Sequence, residues 1–247
     1  MKFSIIIATY NSEALLERAL LSVLNQSYPH VEVIVQDGAS TDETIDILKR
    51  CGSRVNWRSE PDTGVYDAWN KALDRASGDW ALFLGSDDLL LDKDILVRCV
   101  RHLKRLPPHI LFAYGAMVSG TNGQVTELVN RSLMEVYRRF AANMAICFPA
   151  TFVRLAAAKQ GKFDPSYKIA GDFDFVARYL RSDNIARLPL IVSYMERGGL
   201  STNPVTNCLM MDERGTVLYK HILPKAQELV IGCMQHYWHE DSSLEAQ

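Results

Sequence analysis

The stretch GDWALFLGSDDLLL, Gly78 to Leu91, leaves an apolar run through Ser86, Asp87 and Asp88 and returns at once to leucines. Two adjacent carboxylates have two ready uses. They cap the amino end of a following helix, a place where Asp is favoured, or they hold a divalent cation, which prefers carboxylate oxygen. Other polar groups gather in short clusters: TYN at 9–11, QDGASTD at 36–42, EPDTG at 60–64 and GDFDF at 171–175. The six histidines lack HExxH or comparable spacing, and the five cysteines are scattered without a CxxC pair, so neither a catalytic zinc site nor a disulfide framework is indicated. GxGxxG and GxxxxGKS/T are both missing, which removes the main support for dinucleotide and P-loop chemistry.

Hydrophobic periodicity gives the elements that must position these clusters. Phe3 to Thr9 and Val31 to Gln36 are near-continuous apolar, β-branched runs, the pattern of strands buried on both faces of a parallel sheet. Between them the spacing predicts a helix capped by Asn11 or Ser12, with Leu15, Leu16, Ala19, Leu20, Val23 and Leu24 on one stripe and Pro29 closing the unit. Ser40 followed by Glu43 has the form of a capping box opening a helix toward Arg50. Val55 to Arg58 reads as a short strand, Val65 to Ala76 as a helix and Asp79 to Gly85 as a fourth strand. Such alternation gives an α/β sheet, whose ligands gather beyond the carboxyl ends of the strands. Every polar cluster up to Asp88 lies at or near such an end.

After Pro107 and Pro108 the pattern turns mixed. Ile110 to Met117 and Val125 to Val129 form a hairpin across GTNG, and Ala170 to Leu180 reads as a helix. A helical tail follows Pro204, in which Ala226, Leu229, Val230, Cys233, Met234, Tyr237 and Trp238 recur at helical spacing. The expected division is a main domain over residues 1–203 and a helical C-terminal extension over 204–247.

Composition bounds what this chain can be. With 247 residues, 48% hydrophobic and 23% charged, it has material for one large core, and a disordered or fibrous role is excluded. A net charge of -2 gives no general attraction to nucleic acid. No apolar run approaches the roughly 18 residues of a membrane span, and the apolar amino terminus meets polar residues too early for a signal peptide. Scattered cysteines fit a reducing, cytoplasmic setting. The amphipathic tail can meet this chain's own core, a second subunit or a membrane surface, and its few basic residues favour the core.

In order along the chain, SIIIATYN, VEVIVQDGASTDET, SEPDTGVYDAWNKAL, SGDWALFLGSDD, GDFDFVARY and GGLST resemble the inverting family 2 glycosyltransferases of GT-A fold, over roughly Lys2 to Thr202. The EPDTGVYDAWNK block is similar to the bacterial branch that builds exopolysaccharide, capsule or O-antigen. The resemblance implies a Rossmann-like, mostly parallel central sheet, and transfer of a sugar from a nucleotide-diphosphate donor to a saccharide or lipid-linked saccharide with inversion. It implies a cytoplasmic enzyme, peripheral at the inner face of the membrane where its acceptor is lipid-linked.

Residue by residue, the resemblance assigns Thr9, Tyr10, Asn11, Asp37, Asp62, Asp67 and Ser86 to the nucleotide pocket. Asp37 would accept the imide hydrogen bond of uracil, which favours a UDP-sugar; its other reading is the start of an Asp-Gly turn. Asp67, Asn70 and Lys71 share a helix face, as pocket residues or as a solvated ion pair. Asp87, with Asp88 beside it, would hold Mg or Mn against the diphosphate. Asp172 would take the proton from the acceptor hydroxyl, while also standing at a helix amino end; Asp174, two positions on, points elsewhere. GGLST would close over the diphosphate.

Three positions depart from the family. The metal motif DxDD here begins with Gly85, the ED pair around the base reads Gly171-Asp172, and Phe148 stands where many relatives carry histidine. These departures motivate an alternative, a non-catalytic nucleotide-sugar binding subunit of the same fold. A nucleotidyltransferase is disfavoured, because TYNSEALLERAL replaces its glycine- and arginine-rich loop.

Overall fold

The computed structural model describes residues 1–140, 144–181, 183–199 and 204–225. The stripe expected between Ala226 and Trp238, and Leu200 to Thr202 of GGLST, lie outside the described residues.

The first half alternates as the apolar runs dictate: β1 (Phe3–Thr9), α1 (Leu16–Leu24), β2 (Val31–Asp37), α2 (Thr44–Cys51), β3 (Asn56–Ser59), α3 (Val65–Arg75) and β4 (Trp80–Gly85). The second half is mixed: β5 (Leu89–Leu90), α4 (Ile95–Leu103), β6 (Phe112–Thr121), β7 (Gln124–Val129), α5 (Leu133–Phe140), β8 (Thr151–Arg154), α6 (Leu155–Gly161), α7 (Gly171–Tyr179), β9 (Ile185–Glu196) and α8 (Asn207–Val217). One sheet runs β3-β2-β1-β4-β8-β6-β9-β5, with β7 on β6. β3, β2, β1 and β4 are mutually parallel, while β8 joins β4 antiparallel.

Alternate side chains of one strand enter different layers. Phe3, Ile5 and Ile7 of β1 pack with Leu16, Leu20 and Val23 of α1, Leu48 of α2 and Cys99 of α4. Ile6 faces the other way, among Tyr66, Trp69 and Leu73 of α3 and Phe173 and Val176 of α7. Both faces of the central strands are therefore covered, which is why they read as near-continuous apolar runs. Val217 of α8 and Ile222 of the π-helical turn after it (Leu218–Ile222) are buried in that second layer.

Two caps expected from the sequence do not form. α1 starts at Leu16 with no side-chain cap, because Asn11, at φ 45°, turns its Oδ1 to accept the Thr41 N–H at 2.9 Å. Nor does Ser40 cap α2. Its hydroxyl donates to Asp37 at 2.5 Å and accepts the Asn11 N–H at 2.8 Å, so the helix begins at Thr44. In both cases the polar side chain is recruited between two neighbouring loops instead of serving the helix next to it.

Candidate active site

Strand register sets the site. In the parallel pairs, Thr9 stands beside Asp37 and Asp37 beside Ser59, while Ala8 stands beside Gly85. The carboxyl ends of β1, β2, β3 and β4 thus deliver TYN, QDG, SEPD and GSDD to one edge of the sheet.

Asp37 is fully buried there. Its Oδ2 accepts the Ser40 N–H at 2.9 Å and the Ser59 hydroxyl at 2.6 Å, and its Oδ1 takes the Ser40 hydroxyl. A buried carboxylate survives only with such donors. Asp62 lies against the backbone of Gly38, its Oδ2 2.8 Å from where a Cβ would stand, and its Oδ1 accepts the Gly64 N–H at 2.9 Å. Burial pushes the Asp62 carboxyl above its ordinary range. The hydroxyl of Thr9 is buried without a partner among the described residues, whereas Tyr10 is 62% exposed and presents its ring to solvent. Asp67 accepts the Thr63 N–H at 3.1 Å and pairs with Lys71 at 3.3 Å, which holds the EPDTG loop on the start of α3. Lys71 also donates to the Pro61 carbonyl, and Asn70 exchanges two hydrogen bonds with the backbone of Phe163, so the face shared by these residues anchors loops.

The GSDD turn is not a helix cap. Asp88 Oδ2 accepts the Gly85 N–H at 3.0 Å, the Asp88 N–H returns to the Gly85 carbonyl at 3.3 Å, and Leu89–Leu90 continue as β5 against β9. A Cβ at position 85 would stand 2.5 Å from Asp87 Oδ1 and 3.1 Å from Asp88 Oδ2. A side chain at position 85 would thus require the Asp87 carboxylate to shift. Ser86 joins the β1 loop through Ser12 at 2.8 Å, and Asp87 Oδ2 lies against Gly199, the second glycine of GGLST.

Burial pushes both carboxyls up, Asp88 further through the charge of Asp87, and Glu196 adds to the repulsion while Arg18 relieves Asp87. Two convergent carboxylates destabilised as anions are a donor set that fits a hard divalent cation. Among the described residues no group of three or more His, Cys, Asp or Glu side chains is placed to hold a metal ion.

Asp172 is the second residue of α7 and half-buried. Burial raises its carboxyl to about 6, against the Phe173 N–H at 2.8 Å and the more distant Tyr66 hydroxyl at 3.4 Å, both of which favour the anion. The single proton of the Tyr66 hydroxyl is shared with the Ile169 carbonyl, the nearer acceptor at 2.5 Å. Asp174, as the helical spacing requires, faces away: it is buried between Arg178 at 2.8 Å and His221 at 3.0 Å. Phe148 is core, stacked on Phe83 with centroids 5.5 Å apart and packed on Trp69 and Phe163.

Residue spacing alone does not reveal Ser59, Arg18 or Glu196 as members of this neighbourhood. Ser59 has a local signal, being the residue before EPDTG at a strand end. Arg18 and Glu196 are 178 positions apart and meet at 2.6 Å only through the fold.

A parallel nucleotide-binding half joined to a mixed half, with carboxylates turned over the end of the central strand, is the GT-A type of glycosyltransferase architecture. The S. aureus TarS structure with UDP-GlcNAc superposes with a TM-score of 0.68 at 22% identity, covering 90% of this chain and 72% of that one. A mannosyltransferase from Pyrobaculum calidifontis, solved with GDP-Man and Mn2+, superposes at 0.59 and 22% identity over 78% of this chain and 56% of that one. The chain belongs to glycosyl transferase family 2, whose model matches residues 4–157. It is 33% identical over 214 residues to a PGL/p-HBAD biosynthesis glycosyltransferase of Mycobacterium bovis BCG, covering 82% of this chain and 80% of the relative. An uncharacterized glycosyltransferase of Mycobacterium tuberculosis is 33% identical over 180 residues, 71% of this chain and 67% of the relative. Asp172 lies beyond the matched family segment.

Proposed function

We propose that this glycosyltransferase moves a sugar from a nucleotide-diphosphate sugar, a UDP-sugar by preference, to a saccharide or lipid-linked saccharide, with inversion, in surface polysaccharide assembly. The observation that carries the reading is the convergence at one sheet edge of Thr9, Asp37, Asp62 and the Gly85–Asp88 turn, with Asp172 tied to the same edge through Tyr66 of α3.

In this reading Thr9, Tyr10, Asn11, Asp37, Asp62, Asp67 and Ser86 form the nucleotide pocket, the exposed Tyr10 ring offering a face to the base. Asp87 and Asp88 hold Mg or Mn, which when bound offsets the charge that grows on the diphosphate as it leaves. Asp172 accepts the proton of the acceptor hydroxyl. That oxygen bonds to the anomeric carbon from the face opposite the diphosphate, the bond from carbon to phosphate oxygen breaks, and the nucleoside diphosphate departs with the electron pair. A single displacement inverts the configuration.

Residues 1–203 form the transferase domain and 204–247 its extension. Among the described residues no helix is long and apolar enough to cross a membrane, and we place the enzyme in the cytoplasm, peripheral at the inner membrane face when its acceptor is lipid-linked. The test is Asp172→Asn assayed with UDP-sugars. Transfer is expected to fall about 100-fold or more while UDP binding persists; wild-type transfer by this variant would refute the base. The alternative is a non-catalytic nucleotide-sugar binding subunit of the same fold; metal-dependent hydrolysis or transfer of a nucleotide sugar by the wild-type protein would favour the enzyme, and inactivity against a broad donor and acceptor panel the binding subunit.

A further inference from the structure

The segment that carries Asp172 is held by a residue far along the chain. Glu213 of α8 accepts three consecutive backbone N–H groups: Lys168 on Oε1 at 2.7 Å, and Ile169 and Ala170 on Oε2 at 2.9 and 2.8 Å. These residues lead directly into α7, whose capping position, Ala170, has no side-chain acceptor. Of these amides Ala170 belongs to the helix start, where N–H groups lack partners within the helix, and a carboxylate beside it also favours the helix dipole.

From the opposite side, the same segment is fastened to α3 and the loop before it. Lys168 Nζ donates to the Thr63 carbonyl at 2.6 Å and the Tyr66 hydroxyl to the Ile169 carbonyl. Asp172 follows two residues after this clamp. α8 has its own purchase on the core, through fully buried Val217 and the buried Ile222 in the turn after it. Glu213 is therefore anchored rather than a loose surface acid, and its neighbour Arg214 favours the ionised form of Asp172.

We propose that Glu213 is a positioning residue for Asp172, which makes α8 a working part of the active site. The proposal rests on the reading of Asp172 as the base. Without the Glu213 carboxylate, the 168–170 segment loses the acceptor for three amides and Asp172 loses its fixed origin. A displacement of about 1 Å of a reacting group is enough to cost on the order of 100-fold in rate.

The test compares wild type, Asp172→Asn, Glu213→Ala, Glu213→Gln and the double variant Asp172→Asn/Glu213→Ala, reading kcat for UDP-sugar transfer and Kd for UDP. Glu213→Ala is expected to lower kcat about 10- to 100-fold with Kd for UDP within about twofold. Glu213→Gln, which keeps an acceptor oxygen and the side-chain length, should recover part of that loss. In the Asp172→Asn background, adding Glu213→Ala should change the residual rate little, because a residue that acts through another is non-additive with it. Wild-type kcat in Glu213→Ala, a parallel loss of UDP affinity, or additive losses in the double variant would overturn the proposal. If Glu213→Ala does not fold, Glu213→Gln decides, with wild-type kcat or a parallel loss of UDP affinity counting against the proposal. Full transfer by Asp172→Asn would refute the base itself, a result distinct from an inert Glu213.

Discussion

The ring of Tyr66 lies 2.7 Å from where a Cβ on Gly171 would stand. The residue before Asp172 must therefore be glycine for as long as Tyr66 keeps its place, stacked near Phe163 and bonded to Ile169. Gly171→Ala should push ring and helix apart, costing about 1–3 kcal/mol, the range of overpacking in a filled core. Urea denaturation reads that loss, and kcat should fall with it because α7 carries Asp172.

As the proposed base, Asp172 is also expected to set a pH dependence. Its carboxyl, raised to about 6 by burial, is protonated below that pH and ionised above it. Since only the anion accepts a proton, kcat should fall on the acid side with a midpoint near 6 and hold steady above it. Tyr66→Phe removes a donor that favours the anion, so the acid limb should move to higher pH. A limb that stays in place would show that the 3.4 Å contact has no influence on the base.

Removal of divalent metal should abolish transfer. Mn or Mg added after EDTA treatment should restore it in wild type, and Asp87→Asn should lower kcat on the order of 100-fold or more and weaken the dependence of UDP binding on metal. Calorimetry of UDP with and without Mn separates the two variables. An Asp87→Asn protein with unchanged metal dependence would remove Asp87 from the site.

Asp37→Asn replaces an acceptor of three donors by an amide that donates where hydroxyls and an N–H already point. The buried mismatch should cost about 1–3 kcal/mol of stability. UDP affinity should drop as well. Retained UDP affinity in a folded Asp37→Asn protein would make Asp37 a loop anchor only.

Phe148→Ala should cost about 3–5 kcal/mol, since the side chain is buried among Phe83, Trp69 and Phe163. Thermal unfolding measures this, and the donor specificity of the folded fraction should be unchanged.

The run Phe3 to Thr9 announced a doubly covered strand because packing on both faces leaves few positions for polar side chains, here Ser4 and Thr9, while the α/β class followed from strand and helix alternation. The clusters TYN, QDG, EPDTG and GSDD were identifiable because a parallel sheet puts polar loops at strand ends. The expected caps do not form because Asn11 and Ser40 bond across the two neighbouring loops, and Ser40 also donates to Asp37. Local spacing cannot register a partner 30 residues away.

By itself, then, the sequence determined the α/β class, the edge where the polar clusters meet and the identity of the acidic groups, since these follow from periodicity and residue chemistry along a short stretch of chain. Tertiary structure alone decided that position 171 faces the Tyr66 ring, which carboxylates are pushed toward protonation, and that Glu213 grips the segment before Asp172. Those properties depend on what surrounds each group in space, and the neighbours that matter come from α3, β9 and α8.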